Sequence, residues 1–210
     1  QHQYPGVLLR DWIEGVYQCA GGTEAACPAH PADAANEASD AAEPDPRAWV
    51  QLLPSRVSTG NGKNIRPRPD KLLAPWVRTL LAAAVGQPVQ GRVVGQDAVL
   101  HILPMSPAQA TASLNTLCAL WQLGQQAPLP LPLNTALALA RLTADTPPEA
   151  QEKAFDQAQA AYEGSDYAAS ESMAEVREMC LARTFADFEA LCAARASDGQ
   201  GLADLTPQVY

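Results

Sequence analysis

The sequence predicts a mixed α/β domain: a central sheet flanked by helices, followed by a helical C-terminal portion. Two stretches that favour β-structure, 7–17 and 47–57, precede a stretch with helical spacing at 70–85. Two short apolar runs joined by a tight turn come next, and everything beyond residue 134 has helical spacing. With 210 residues, of which 47% are hydrophobic, the chain can bury one good core. We therefore expect a single domain over residues 1–210.

The first two strands are predicted to pair as a hairpin, 7–17 with 47–57. The segment between them, 20–46, is rich in Ala, Gly, Pro, Asp and Glu and poor in large apolar residues. Such a segment cannot offset its own ordering entropy by burial, so we predict a mobile insertion there. The chain starts at Gln1, without an initiator methionine, and we expect it to be a fragment of a longer polypeptide.

A crossover helix is predicted at 70–85. Its apolar residues recur at helical spacing, and Gly86 provides a natural stop. The strands 89–94 and 98–103 then flank the turn 95–97, which has a length that hairpins use. A strand–helix–strand crossover is therefore expected to precede a second hairpin.

Helices are predicted throughout the C-terminal portion. Ser106 is predicted to cap a helix over 107–123, and the alternating prolines of 128–132 require an extended segment. Two later helices are expected to start with a capping box, in which a Ser or Thr and an acid three residues on satisfy backbone N–H groups. The four helices predicted beyond the prolines are 134–142, 149–162, 171–182 with a Ser172/Glu175 box, and 185–196 with a Thr184/Asp187 box.

The charge of the chain is unevenly distributed. Its net charge of −9 repels nucleic acid on average, yet seven of the fourteen basic residues lie between Arg56 and Arg92, against a single acid, Asp70. Within this stretch, 58–69 is a loop dense in Gly, Asn and Pro, which would hold the backbone open to a phosphate. The alternatives are a solvated loop or an inter-subunit contact. The candidate DNA-binding residues are Arg56, Lys63, Arg66, Arg68 and Lys71.

Composition also bears on the cellular location of the chain. No run approaches the roughly 18 to 20 apolar residues that a membrane span requires, and no signal-peptide pattern is present, so no membrane association is expected. The five cysteines are odd in number and irregularly spaced, which argues against a disulfide framework. We predict a reducing, cytoplasmic location.

The two N-terminal strands lack the residues that a metal-dependent nuclease needs. A PD-(D/E)xK nuclease carries an acid on the first strand and an acid–x–lysine on the second, because phosphodiester hydrolysis needs a caged metal ion and an activated water. Here Glu14 supplies the first acid, but the second would fall near Leu53 and the lysine near Ser55. Arg56 stays protonated and cannot act as a general base or a metal ligand. We predict no metal, no cofactor and no catalysis, with Glu14 as a vestige.

In the order of its segments, the chain resembles the C-terminal domain of RecC, the gamma chain of exodeoxyribonuclease V, the RecBCD helicase–nuclease. The resemblance rests on the two strands, the crossover helix, the second hairpin, 128–132 and the closing segment 182–191. Active nuclease domains of that complex carry Gly-x-x-Asp and Leu-Asp-Tyr-Lys on these strands and a Gln–Tyr pair on the next helix. The second strand and the helix of this chain have no such residues. The resemblance implies a nuclease-like fold without its active site, located where duplex DNA is split and in contact with the RecD subunit.

Together these features predict a non-catalytic, nuclease-like domain of a RecBCD-type helicase–nuclease in double-strand-break repair and homologous recombination. By resemblance, it would help to split or channel DNA at the junction of duplex and single strands, and it would dock the RecB and RecD subunits. Two alternatives stay open. One is a divergent metal-dependent nuclease whose second acid is Asp11 or Asp97, and the other is a protein–protein adapter without DNA contact.

Overall fold

A computed structural model describes residues 1–10, 13–18, 47–60, 65–140, 142–143, 145–164 and 174–209. The chain forms two compact units, Gln1–Thr111 and Ala112–Tyr210. The predicted mixed α/β class is confirmed, since the strands of the described chain belong to the first unit and the second unit is helical. The predicted insertion at 20–46 lies outside the described residues.

The elements of the first unit are β1 (His2–Tyr4), β2 (Val7–Leu9), β3 (Val16–Gln18), β4 (Arg47–Leu52), β5 (Ser58–Thr59), β6 (Arg66–Pro67), α1 (Pro69–Ala84), β7 (Gln90–Val94) and β8 (Val99–Ile102). The helix α2 (Pro107–Gly124) crosses the division between the units. The second unit continues with α3 (Leu133–Leu139), α4 (Pro148–Glu163), a 3-10 turn (Glu175–Arg177), α5 (Met179–Thr184), α6 (Phe188–Ala193) and α7 (Leu202–Val209).

The N-terminal stretch is a small hairpin followed by a separate strand, so the prediction of one continuous strand was wrong. β1 and β2 pair antiparallel across a turn at Gly6, whose φ is 76°. β3 starts only after Gly15, whose φ of 69° interrupts extended backbone. Only glycine adopts such angles readily, and the sequence pattern alone does not show which glycines use them.

The main sheet has four strands in the order β3-β4-β7-β8. β4 pairs antiparallel with β3, which confirms the predicted pairing of these two regions, and it pairs parallel with β7 across the crossover helix. β7 and β8 form the predicted second hairpin. The prediction that the second strand continues to Val57 was wrong. β4 ends at Leu52, and Pro54 has no N–H to donate to a strand ladder.

The crossover helix α1 packs its apolar side chains against the sheet. Ala82 of α1 belongs to one core cluster with Trp49 of β4 and Val93 of β7, and Trp49 is only 1% exposed. Gly86 follows the helix with a φ of 76°, as predicted for its stop. The face of the sheet that packs against α1 is therefore its buried face.

In the second unit, α3 and α4 confirm two predicted helices, whereas the helix predicted over 171–182 was wrong. Its described part divides into the 3-10 turn and α5, because the Glu175 carboxylate does not cap its own helix. That carboxylate accepts hydrogen bonds from the backbone N–H groups of Asn134 and Thr135, at 2.8 and 2.9 Å, at the start of α3. Ser172, the predicted partner in the box, lies outside the described residues.

The second capping box was also misplaced. Thr184 is the last residue of α5, and its hydroxyl donates to the Cys180 carbonyl at 2.8 Å. Asp187 is itself the N-cap of α6 and accepts from the Ala190 N–H at 2.7 Å. The predicted helix over 185–196 is consequently shorter. The helix α7 was not among those predicted.

The core of the second unit is built around Tyr162. This residue is fully buried among Leu139, Phe185 and Leu191, and its hydroxyl donates to the Phe185 carbonyl at 2.5 Å. Burial raises the pKa of Tyr162, so the phenol stays protonated and keeps this bond.

In the part of the chain that is described, no helix combines the length and apolar character needed to span a bilayer.

Candidate nucleic-acid interface

The turn between β7 and β8 holds the segment that follows β4. The Asp97 carboxylate accepts hydrogen bonds from the backbone N–H groups of Val57 at 2.8 Å and Ser58 at 3.2 Å. It also accepts from the Ser58 hydroxyl at 2.7 Å. The neighbouring Gln96 donates its backbone N–H to the Ser55 carbonyl at 3.1 Å. These bonds fix the start of the β5–β6 hairpin to the main sheet.

This contact is expected to depend on pH. The Ser58 hydroxyl, followed by the Val57 N–H, lowers the pKa of Asp97 from 3.8 to about 2. Because the folded pKa is depressed, the stabilisation is present above about pH 4 and is lost as pH falls towards about 2. We expect Asp97→Asn to lower the thermal unfolding midpoint near neutral pH, and we expect its difference from the unsubstituted chain to shrink in acid.

The measurement is thermal unfolding followed by circular dichroism between about pH 5 and about pH 2.5. Asp145→Asn is the matched control, because Asp145 is exposed and its replacement removes the same charge. A difference between Asp97→Asn and the unsubstituted chain that stays constant over this range would contradict the assigned role of Asp97.

The β5–β6 hairpin and the segment just before it carry the two most exposed of the described candidate DNA-binding cations. Arg66 of β6 pairs with Thr59 of β5 and is exposed. Arg56 lies just before β5, its side chain is 65% exposed, and its Nε lies 3.5 Å from an Asp97 carboxylate oxygen. Lys63 lies outside the described residues. Arg56 therefore lies just before the two-stranded hairpin that carries Arg66, whereas the sequence predicted Arg56 in a strand and Arg66 in a loop.

Arg68 and Lys71 have a different environment at the start of α1. The Arg68 guanidinium forms two bonds with the Asp70 carboxylate, at 3.2 and 3.0 Å, and the Lys71 ammonium lies 3.5 Å from the same carboxylate. The Arg68 N–H also donates to the Val57 carbonyl at 2.9 Å. One acid thus partly neutralises both cations and anchors Arg68, as bidentate pairs do. Among the described candidate cations, Arg66 is therefore the open one, and Arg56 stays 65% exposed although it pairs with Asp97.

The three positions that correspond to a nuclease metal site all lie outside the strands in which they were predicted. Glu14 does not lie within a strand as predicted: it is exposed in the short segment before β3, next to Gly15. Leu53, where the second acid was expected, packs against the core cluster of the first unit. Ser55, at the lysine position, lies in the bend after β4.

The structure also bears on the acids weighed as substitutes. Asp97 is engaged with Val57 and Ser58, and Asp11 lies outside the described residues. Across the described ranges, no three His, Cys, Asp or Glu side chains come together as a group that could hold a metal ion.

Sequence analysis missed the structural role of Asp97. An Asp in a turn is a common acceptor for backbone N–H groups, which was the available signal, but its partner Val57 is 40 residues away. Gly95, in the same turn, is a second sign in the sequence of a close contact. A Cβ at that position would lie 2.6 Å from both methyl groups of Val57, so glycine permits the close approach of turn and segment.

Comparison with known proteins identifies the family. A model described as the RecC C-terminal domain matches residues 1–144, and no curated protein matches the chain. The closing segment 182–191 lies outside the matched residues. RecC is a subunit of the RecBCD complex, which acts in DNA repair. Because the match covers more than half of the 210 residues, the chain belongs to the RecC C-terminal domain family.

Proposed function

We propose that this chain is a non-catalytic, nuclease-like domain of a RecBCD-type helicase–nuclease, and that its β5–β6 hairpin helps to guide DNA strands. Family membership supports a place in the RecBCD complex and makes RecB and RecD the expected partner subunits. The nuclease-like assignment is supported by an antiparallel strand pair, β3 and β4, followed by a crossover helix to the parallel strand β7.

The proposal that the domain is non-catalytic is carried by the environments of Leu53 and Ser55. An acid–x–lysine at these positions would have to present a carboxylate and an ammonium to the metal and the attacking water. Leu53 instead belongs to the apolar cluster around Trp49, and Ser55 lies in a bend. A divergent nuclease would need other ligands, and it would show Mn²⁺-dependent cleavage that Glu14→Ala abolishes.

The DNA-guiding part rests on Arg56 and Arg66. Exposed guanidinium groups contact phosphates without reading sequence, as a strand-guiding surface requires. The hydroxyl of the exposed Thr59 lies on the same hairpin, which Asp97 holds in place through the buried Ser58. Because the chain as a whole is acidic, we expect this hairpin to act within the complex rather than as a strong DNA-binding module by itself.

The test is Arg56→Gln together with Arg66→Gln in a reconstituted RecBCD-type complex. Neutral replacements are chosen because a glutamate at position 56 would repel Asp97. We expect affinity for forked DNA at about 0.1 M salt to fall about tenfold, and the slope of log affinity against log salt to decrease by about 2, as the loss of two phosphate contacts requires. Duplex unwinding is expected to slow in parallel.

The matched control is Lys153→Gln together with Arg183→Gln. Both residues are exposed in the second unit, and their replacement removes the same charge. Equal affinity and equal salt slope for the hairpin variant and the unsubstituted complex would refute the DNA-guiding role.

A protein–protein adapter without DNA contact is the second candidate. The net charge of −9 and the neutralisation of Arg68 and Lys71 by Asp70 favour it. So does the exposure of large apolar side chains such as Leu52 and Leu103, since such side chains often mark protein interfaces. Unchanged DNA affinity of the hairpin variant, combined with weaker assembly of a Leu52→Asp variant, would select this reading.

A further inference from the structure

We propose that Asp70 is a counter-ion that masks a second phosphate-binding site beside the β5–β6 hairpin, formed by Arg68 and Lys71. The Asp70 carboxylate occupies the position that a phosphate of a bound DNA strand would take, and it limits the strength with which the domain holds DNA. This role rests on the proposed function, because it takes the DNA strand that contacts the neighbouring Arg66 as the ligand.

The side chains of Arg68, Asp70 and Lys71 form one cluster at the start of α1. Arg68 donates from Nε and Nη2 to the two carboxylate oxygens of Asp70, at 3.2 and 3.0 Å, and the Lys71 Nζ lies 3.5 Å from one of these oxygens. Proteins bind phosphate in the same way, with the fork of a guanidinium and the point charge of an ammonium. The two cations are therefore arranged to bind an oxyanion, and an acid of the same chain fills this site.

The cluster continues the strand that carries Arg66. Arg68 follows β6 with a φ of −84° and a ψ of 113°, which is extended backbone, and its N–H donates to the Val57 carbonyl at 2.9 Å. In extended backbone, residues two apart lie on the same side of the chain and about 6.6 Å from each other. Arg66 and Arg68 can therefore contact neighbouring phosphates of one strand once Asp70 releases the Arg68 guanidinium.

The ion pairs of Asp70 are exchangeable because the cluster is open to water. The side chains of Arg68, Asp70 and Lys71 are 30%, 21% and 34% exposed. Ion pairs at partly exposed sites contribute little net stability, since water solvates the separated charges and salt screens them. A phosphate has the same sign of charge as a carboxylate and can replace it on the two cations. Because Asp70 competes for them, the domain holds a strand more weakly than two free cations would, and the strand can move along the surface.

Asp70 also lies in the first turn of α1, where the helix dipole favours an acid. A role limited to helix stability predicts that a neutral residue at position 70 lowers stability and leaves DNA affinity unchanged or reduced. The masking role predicts that the same change raises DNA affinity. The direction of the change in affinity therefore separates the two roles.

The test is Asp70→Asn in the reconstituted RecBCD-type complex, with forked DNA as the ligand. Release of Arg68 and Lys71 adds two phosphate contacts, so we expect affinity at about 0.1 M salt to rise about tenfold and the slope of log affinity against log salt to steepen by about 2. Adding Arg68→Gln and Lys71→Gln to Asp70→Asn is expected to return both values to those of the unsubstituted complex. The control is Asp145→Asn, which removes the same charge from an exposed site of the second unit and should change affinity less than about twofold.

Circular dichroism checks folding, and Asp70→Ser is a second neutral replacement if Asp70→Asn does not fold. The masking role is overturned if the folded Asp70 variant binds DNA no more tightly than the unsubstituted complex, or if its salt slope is unchanged. If the Arg56/Arg66 variant loses affinity in the same assay, the hairpin still guides DNA and only the masking role fails. If the Asp70 variant gains affinity and the Arg56/Arg66 variant loses none, the masking role stands and the hairpin role fails.

Discussion

Gly91→Ala is expected to destabilise the first unit by about 3 kcal/mol, the upper end of what overpacking a buried core costs. A Cβ at position 91 would lie 2.5 Å from Cζ2 and 2.8 Å from Cε2 of Trp49. Gly91 and Trp49 are register partners in the parallel pair of β7 and β4, and the indole is almost fully buried, so neither group can move aside easily. Urea unfolding, with hydrogen exchange of β7 peptides to locate the effect, provides the measurement.

A double-mutant cycle tests the cause. Trp49→Phe shortens the side chain and also removes a buried indole N–H that has no hydrogen-bond partner in the part of the chain described. We therefore expect the Gly91→Ala/Trp49→Phe chain to be more stable than the sum of the single effects by at least about 1 kcal/mol. Gly124→Ala is the control, because its Cβ would meet Leu129 at an ordinary 3.4 Å. Strict additivity would show that the indole is not the obstacle.

Glu175→Ala is expected to destabilise the second unit by about 3 kcal/mol, because it removes a charged acceptor from the two buried donors of Thr135 and from Asn134. Glu175 is 9% exposed and accepts from the Asn134 N–H, the Thr135 N–H and the Thr135 hydroxyl, the last at 2.7 Å. Without it, the buried N–H and hydroxyl of Thr135 lose their acceptor. The measurement is urea unfolding with hydrogen exchange of α3 peptides.

Two further variants separate charge from packing at this position. Glu175→Gln keeps one acceptor oxygen and is expected to lose about half as much stability as Glu175→Ala. Glu178→Ala removes the same group from an exposed site three residues on and should change stability by less than about 0.5 kcal/mol. Equal effects of Glu175→Ala and Glu178→Ala would contradict the capping role.

Asp97 is connected to both parts of the proposed function, the absence of a nuclease site and the guiding of DNA strands. The β7–β8 turn, which a divergent nuclease would use as a source of a second acid, binds the backbone of Val57 and Ser58 instead. The same bonds hold the hairpin that carries Arg66. Loss of Asp97 is therefore expected to loosen the β5–β6 hairpin as well as the fold, so acid stability and the proposed DNA contact should change together.

Local pattern was enough for much of the secondary structure. The α1 helix and the β7–β8 hairpin follow from helical spacing, a glycine stop and a short turn, all of which act between neighbouring residues. The absence of an acid–x–lysine is likewise a property of the sequence, visible at Leu53 and Ser55. The pairing of β4 with β3 was also predicted, because both stretches favour strand and flank one long insertion.

Only the tertiary structure decided how the polar side chains are used. Glu175 matched a local capping box, yet its carboxylate caps α3, 40 residues earlier in the chain, and Asp97 holds Val57 at a similar separation. Arg68 and Arg66 have the same charge in sequence, but Asp70 engages the former and leaves the latter as the more open cation. A carboxylate binds whichever donors the fold brings within hydrogen-bond distance, and that distance depends on packing between remote segments, which no local pattern encodes.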